Sequence, residues 1–179
     1  MLKIAIVGPE SSGKTTLCEA LAVHYDVPWV EEYARAYLTV RGGRYEEKDL
    51  PAIAQGQYDG AVRIELESPG SPLILHDTEM LTMMIWSEEK FSRVDRRIEE
   101  LFARQHFDHW LLCRPDIPWE ADPLRENPND RFRLFAIYEA KLRSMRKPYT
   151  IIEGDHGTRM RKAIAVIDGM PGDGMLRDG

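Results

Sequence analysis

The chain has 179 residues, 43% hydrophobic and 30% charged, a balance that fits one globular domain whose core needs no disulfide or metal staple. Its formal net charge of -6 argues against broad attraction to nucleic acid or to an anionic membrane. Met1-Leu2-Lys3-Ile4 runs straight into a strand without signal-peptide architecture, and no apolar stretch approaches membrane-spanning length, so the expected compartment is the cytoplasm.

Lys3 to Val7 reads as the first strand, and it feeds directly into Gly8-Pro9-Glu10-Ser11-Ser12-Gly13-Lys14-Thr15. That octapeptide is a complete phosphate-binding loop. Gly8 and Gly13 let the backbone curl so that the N-H groups from Glu10, Ser11 and Ser12 through Thr16 gather around one anion. Lys14 reaches the outer phosphates, and the Thr15 hydroxyl is offered to Mg²⁺. ATP and Mg²⁺ are therefore the expected cofactors. The following helix, Thr16 to Tyr25, places Leu17, Ala20, Leu21 and His24 on one face and points its positive end at the phosphates.

Pro28 to Val30 reads as a second strand. Asp49 is placed to cap a long helix toward Glu67, with Pro51 tolerated in its first turn, and Ser68-Pro69-Gly70-Ser71-Pro72 breaks it. Pro72 to Leu75 is a third strand, followed by helices at Thr78 to Glu89 and Arg93 to Arg104. A fourth strand at His109 to Cys113, a helix at Asp130 to Arg146, a fifth strand at Tyr149 to Ile152 and a helix at Thr158 to Ile167 complete the order. Short strands alternating with helices predict an α/β fold: a five-stranded parallel sheet covered on both faces, in one domain over residues 1–170. The last nine residues, Pro171 to Gly179, hold four glycines or prolines and are expected to be disordered. Cys18 and Cys113 sit in apolar surroundings and read as buried structural thiols.

In such a fold, ligands sit beyond the carboxyl ends of the strands. Asp77 ends the third strand, where a phosphate-loop protein supplies a carboxylate to Mg²⁺ or substrate; a helix cap is the alternative. Glu32 follows the second strand. Transfer to a hydroxyl needs a carboxylate to orient it and take its proton, and Glu32 and Asp77 both qualify. Tyr33 and Arg35 stand at the mouth of the same cleft, for substrate contact or for packing. Arg125 to Arg131 lies between the fourth strand and a long helix, where small kinases keep a mobile lid whose arginines stabilise the transferring phosphoryl group. Asp116, Trp119 and Asp122 combine acids with an aromatic face, suited to a flat cation, unless Trp119 only pins the loop to the core. Trp86 and Trp110 read as core, and His76 as packed beside the site. From Arg125 to Lys147 seven basic residues face three acids, a local reversal of charge that leaves a lipid-binding role open. No Asn-Lys-x-Asp guanine-reading motif occurs.

Gly8-x4-Gly13-Lys14-Thr15, Glu32-Tyr33-Ala34-Arg35, Asp77-Thr78 with Trp86 downstream, Leu111-Leu112-Cys113-Arg114-Pro115-Asp116-Ile117-Pro118-Trp119 and Asp122-x-Leu124-Arg125 together resemble the ribosylnicotinamide kinase domain of NadR-like proteins. The resemblance runs from about Leu2 to Ile167. It implies a P-loop NTPase fold of the nucleoside-kinase kind, with ATP-dependent phosphorylation of the 5′-hydroxyl of nicotinamide riboside to nicotinamide mononucleotide. Nicotinamide riboside carries a planar pyridinium, which suits Trp119 among acids, and a ribose diol, which suits carboxylates. Bifunctional members carry an adenylyltransferase domain ahead of the kinase, and some a DNA-binding domain. Here the first strand begins at residue 3, so adenylyl transfer and repressor activity are not expected. A kinase for another nucleoside, and a regulatory ATPase that binds a partner protein, are the competing readings.

Overall fold

The computed structural model describes residues 1–171, so most of the segment expected to be a disordered tail lies outside them. Five strands form one sheet: β1 (Leu2–Val7), β2 (Trp29–Val30), β3 (Leu73–Asp77), β4 (His109–Cys113) and β5 (Tyr149–Ile152). Their spatial order is β2-β3-β1-β4-β5, and every pairing is parallel. The helices are α1 (Lys14–Tyr25), α2 (Tyr33–Val40), α3 (Leu50–Glu67), α4 (Met80–Phe91), α5 (Arg96–Arg104), α6 (Arg131–Ser144) and α7 (His156–Asp168).

Successive side chains of β1 leave on opposite faces, and both faces are buried. Ile4 and Ile6 pack with Leu17, Cys18 and Leu21 of α1 and with Ala163 and Ile167 of α7. Ala5 and Val7 pack on the other side with Leu81 and Ile85 of α4 and with Phe135, Tyr138 and Leu142 of α6. A further cluster joins α2, α3, α4 and α5 through Ala34, Leu38, Leu50, Ile53, Met80 and Leu101. The doubly covered parallel sheet expected from the strand and helix alternation is therefore the fold.

Several boundaries move, each for a local reason. The buried stripe of α1 is Leu17, Cys18, Leu21 and Ala22, while His24 faces solvent. α4 starts at Met80 rather than Thr78, because Thr78 has φ 76° and Glu79 is the extended cap residue whose carboxylate accepts the Leu81 N-H. α5 starts at Arg96 rather than Arg93, since Ser92 at φ 57° closes α4 and Asp95 caps the next helix by accepting the Arg97 N-H. Asp49 does not cap α3 with its side chain; its carboxylate turns back to the Glu46 N-H in a short 3-10 turn over Glu47–Asp49. α2 had no counterpart among the expected helices. Cys18 and Cys113 are buried free thiols, and burial pushes the Cys113 thiol up to about 12. Among the described residues no helix is long and apolar enough to cross a membrane.

The basic stretch disperses into ion pairs. Arg133 meets Glu89 at 2.5 Å and Asp130 at 2.6 Å, Lys141 meets Glu88 at 2.6 Å, and Arg143 meets Glu139 at 2.7 Å. Three of that stretch's seven cations thus already face carboxylates, which removes the ground for a continuous cationic surface.

Candidate active site

The loop after β1 closes onto the sheet before it reaches α1. Gly8 takes φ 141°, and a Cβ there would lie 2.6 Å from the Cys113 carbonyl oxygen of β4, so only glycine lets the two backbones meet. Gly13, at φ 81°, turns the chain into α1, whose first residue is Lys14. The Lys14 Nζ donates to the Pro9 carbonyl at 3.0 Å across the loop it spans. Glu10, Ser11, Ser12 and Thr16 complete the same wall of one cleft. That cleft encloses about 260 Å³, the scale of a small-molecule site rather than of a crevice for a water or two at roughly 30 Å³ each.

At the end of β3 the Thr15 hydroxyl donates to Asp77 Oδ2 at 2.5 Å, while the buried Asp77 Oδ1 has no hydrogen-bond partner. Burial, reinforced by Glu32, pushes the Asp77 carboxyl up to about 6 against the opposing pull of Lys14 and of the Thr15 hydrogen bond. A hydroxyl and an orphaned carboxylate oxygen beside a lysine fit a hard divalent cation. Among the described residues no three His, Cys, Asp or Glu converge on a metal site. That donor set fits Mg²⁺, which keeps waters and substrate phosphates in its shell and needs few protein ligands. Asp77 is not on the cleft wall, whereas Glu32 is, half-buried. The two acids are thereby separated: one sits beneath the phosphate loop, the other faces the open space.

Beyond the loop the cleft is walled by Glu32, Leu38, Ile85, Trp86, Glu89 and Tyr138. Trp86 is half-buried rather than core. Its indole N-H donates to the Tyr45 hydroxyl at 2.9 Å, and the two rings meet edge to face at 4.9 Å, which fixes the indole plane. Glu89 stands one helical turn further along α4. Trp110 is buried as expected, and His76 is buried edge-on to Phe107 at 4.8 Å, its ring pushed down to about 3 by burial and so kept neutral.

The segment between β4 and α6 lies across the loop. Glu10 accepts the backbone N-H groups of Glu126 at 3.0 Å and Asn127 at 2.9 Å, and the Ser11 hydroxyl accepts that of Glu120 at 2.9 Å. Arg131 donates to the Ser11 and Ile117 carbonyls at 3.0 and 3.1 Å; Arg125 donates to the Glu120 carbonyl and reaches the Ser11 hydroxyl at 3.4 Å. Both guanidinium groups lie on the Trp119 ring, at 5.9 and 5.6 Å from its centre for Arg125 and Arg131.

Five of the expected substrate contacts, Asp77 among them, therefore stand off the cleft wall. Trp119 is held by the two arginines and does not line the cleft. Asp116 stands behind the phosphate loop, paired with Arg159. Asp122 bridges to Arg35 at 2.9 Å, and the Leu124 N-H together with Arg35 holds its carboxyl below the usual carboxylate range. Tyr33 packs its ring over Gly56 of α3, where an added Cβ would come within 2.2 Å of it, and the Tyr33 N-H goes to the buried Gln57 at 2.7 Å. Arg35 does reach the cleft, as do Glu32, Arg125 and the whole of the phosphate loop. Sequence reasoning missed the wall formed by Trp86, Glu89 and Tyr138; the signal available was the i, i+3 spacing of Trp86 and Glu89 on the helix after Asp77.

Comparison with known proteins places these features in a wider group. A family of P-loop proteins described as an AAA domain matches residues 3–159. The chain is 30% identical over 129 residues to the trifunctional NAD biosynthesis/regulator protein NadR of Salmonella typhimurium, covering 68% of this chain and 30% of that protein. It thus spans less than a third of that curated relative. Among solved structures it is similar to NadR in complex with NR, with a TM-score of 0.74 and 23% identity over 93% of this chain and 50% of that one. It also superposes on the deoxyadenosine kinase of M. mycoides with bound dATP, with a TM-score of 0.60 and 12% identity over 94% of this chain and the whole of the other. At these identities the two structures establish a shared fold, that of the P-loop nucleoside kinases.

Proposed function

The chain belongs to the AAA domain family, and from that premise we propose that it is an ATP-dependent kinase that phosphorylates the 5′-hydroxyl of nicotinamide riboside. The observation that carries this reading is the composition of the cleft. It joins a phosphate loop at one end to a pocket of Trp86, Tyr138, Glu32 and Glu89 at the other. Aromatic faces with carboxylates beside them suit a flat cation, each such contact being worth about 0.5 to 2 kcal/mol. Arg35, which lines the same cleft, is tied to Asp122, which lessens its opposition to a positively charged ring. The likeness to NadR over 68% of the chain favours the same substrate.

In this reading the 5′-oxygen attacks the terminal phosphorus of ATP. A new P-O bond forms as the bridging P-O bond breaks, ADP leaves, and the hydroxyl proton passes to Glu32 on the cleft wall. Lys14 and the N-terminus of α1 hold the outer phosphates. Thr15 and Asp77 would hold Mg²⁺, which when bound neutralises charge on the β- and γ-phosphates. Arg125 and Arg131, already fixed beside the loop by Ser11 and Trp119, offset negative charge on the moving phosphoryl group without reorganising at that moment. The segment across the loop excludes water that would compete as acceptor. ATP and a free riboside are both met in the cytoplasm.

Incubation with MgATP and nicotinamide riboside, followed by mass spectrometry for nicotinamide mononucleotide, tests the substrate. Product from a different nucleoside alone would reassign the acceptor. ATP hydrolysis indifferent to every acceptor would replace the kinase by a regulatory ATPase.

A further inference from the structure

Arg159, in α7, plays no part in the reading above and does not line the cleft. It is nonetheless 3% exposed, and every arm of its guanidinium is used. Nη1 donates to the Ser12 carbonyl at 2.6 Å, Nη2 to the Arg114 carbonyl at 2.7 Å and Nε to the Gly154 carbonyl at 2.8 Å. Nη2 also pairs with Asp116, whose other oxygen accepts the Gly154 N-H at 2.7 Å. One buried cation thus gathers the phosphate loop, the exit of β4 and the turn between β5 and α7. A planar fork with five donors can serve three carbonyls and a carboxylate together; an ammonium cannot cover the same set.

The bond to Ser12 has a geometric consequence. In a trans peptide the C=O and the following N-H point in opposite directions. Holding the Ser12 carbonyl toward α7 therefore turns the Gly13 N-H away from α7, onto the side of the loop that faces the cleft. Arg131 does the same for the preceding unit by holding the Ser11 carbonyl at 3.0 Å, which orients the Ser12 N-H. Gly13 has φ 81° and no side chain to restrict its peptide planes, so the loop does not fix this orientation by itself.

We propose that Arg159, with Asp116, is a positioning residue for the donor triphosphate: it sets the phosphate loop in its anion-binding shape from behind. This rests on the reading of residues 8–15 as the triphosphate site. The test is titration calorimetry of MgATP without acceptor, on the wild type and on Arg159→Met, Arg159→Lys and Asp116→Asn. Folding is checked by circular dichroism and thermal melting. The expected result is a Kd for MgATP raised about tenfold to a hundredfold in Arg159→Met, with partial recovery in Arg159→Lys and a smaller rise in Asp116→Asn. In steady-state assays the KM for ATP should rise while the acceptor KM stays put, a split that general loosening of the fold would not give. Wild-type affinity in any folded Arg159 variant overturns the proposal. If Arg159→Met does not fold, Arg159→Lys decides in its place, and wild-type ATP affinity there overturns the proposal whatever Asp116→Asn shows. Failure of the wild type to bind MgATP at all would overturn the triphosphate reading itself, a result distinct from the variant series.

Discussion

Thr15 and Asp77, 62 positions apart in sequence, are joined by a 2.5 Å hydrogen bond that ties the first turn of α1 to the end of β3. The bond uses one carboxylate oxygen and leaves the other buried without a partner. Asp77 is therefore held in a position that favours a bound cation at the expense of the ligand-free protein.

That expense predicts a pH dependence of stability. Burial raises Asp77 from its ordinary value of 3.8 to about 6, and raises Glu79, wholly buried at the cap of α4, to about 7. Both groups bind protons more tightly folded than unfolded. Their contribution is complete below pH 4 and is lost as pH rises through about 6 and about 7. A displacement of this size corresponds to roughly 3 kcal/mol for either group. The melting temperature of the ligand-free protein should fall between pH 5 and pH 8, and Glu79→Gln should flatten the decline. A scan of melting temperature against pH in both proteins checks this; equal slopes would contradict it.

Lys14→Ala should reduce phosphoryl transfer by about a hundredfold or more, since it removes the loop's own cationic side chain. The side chain makes one hydrogen bond, to Pro9, so the melting temperature should hardly move. Parallel rate and melting measurements separate the two effects.

The two tryptophans make opposite predictions. Trp86 lines the acceptor end and Trp119 lies under Arg125 and Arg131. Trp86→Ala should raise the acceptor KM by about threefold to thirtyfold. Trp119→Ala should instead lower kcat with the acceptor KM kept, because it frees the arginines rather than the substrate. Steady-state kinetics on both variants distinguish these roles, and a raised acceptor KM in Trp119→Ala would return stacking to Trp119.

Glu32→Gln keeps the shape of the cleft wall and removes the proton acceptor. A fall in kcat of about a hundredfold or more is expected, with nucleotide affinity intact. If Glu32→Gln transferred at the wild-type rate, the base would have to be sought elsewhere.

Local chemistry made much of this legible in the sequence. β4 and β5 were bounded correctly because each is a short apolar run closed by polar or turn residues, and the phosphate loop carries its own spacing. α2 escaped notice because its eight residues bury only Ala34 and Leu38, too little for a periodic signal. The acceptor wall escaped for a different reason. Trp86 and Trp119 are both tryptophans near acids, and only the packing of Tyr45 against one and of two arginines against the other decides which ring faces the cleft. Arg159 was one more charge on the last helix; its bond to Ser12 spans 147 positions, a distance over which no pattern in the chain reports contact.

The contact between Gly8 and the Cys113 carbonyl reaches past the loop itself. It locks the first position of the loop to the sheet, as the Thr15 bond to Asp77 locks the last, while at the middle positions Arg131 of α6 and Arg159 of α7 hold the Ser11 and Ser12 carbonyls. Two of those middle positions, Glu10 and Ser11, carry the side chains that reach across to the 120–127 segment. Grip on the phosphate and tightness of closure are thus set by different letters of one motif. A lineage or a designer could retune how readily the site opens by changing residues 10 and 11 alone, without touching the anchors that hold the nucleotide.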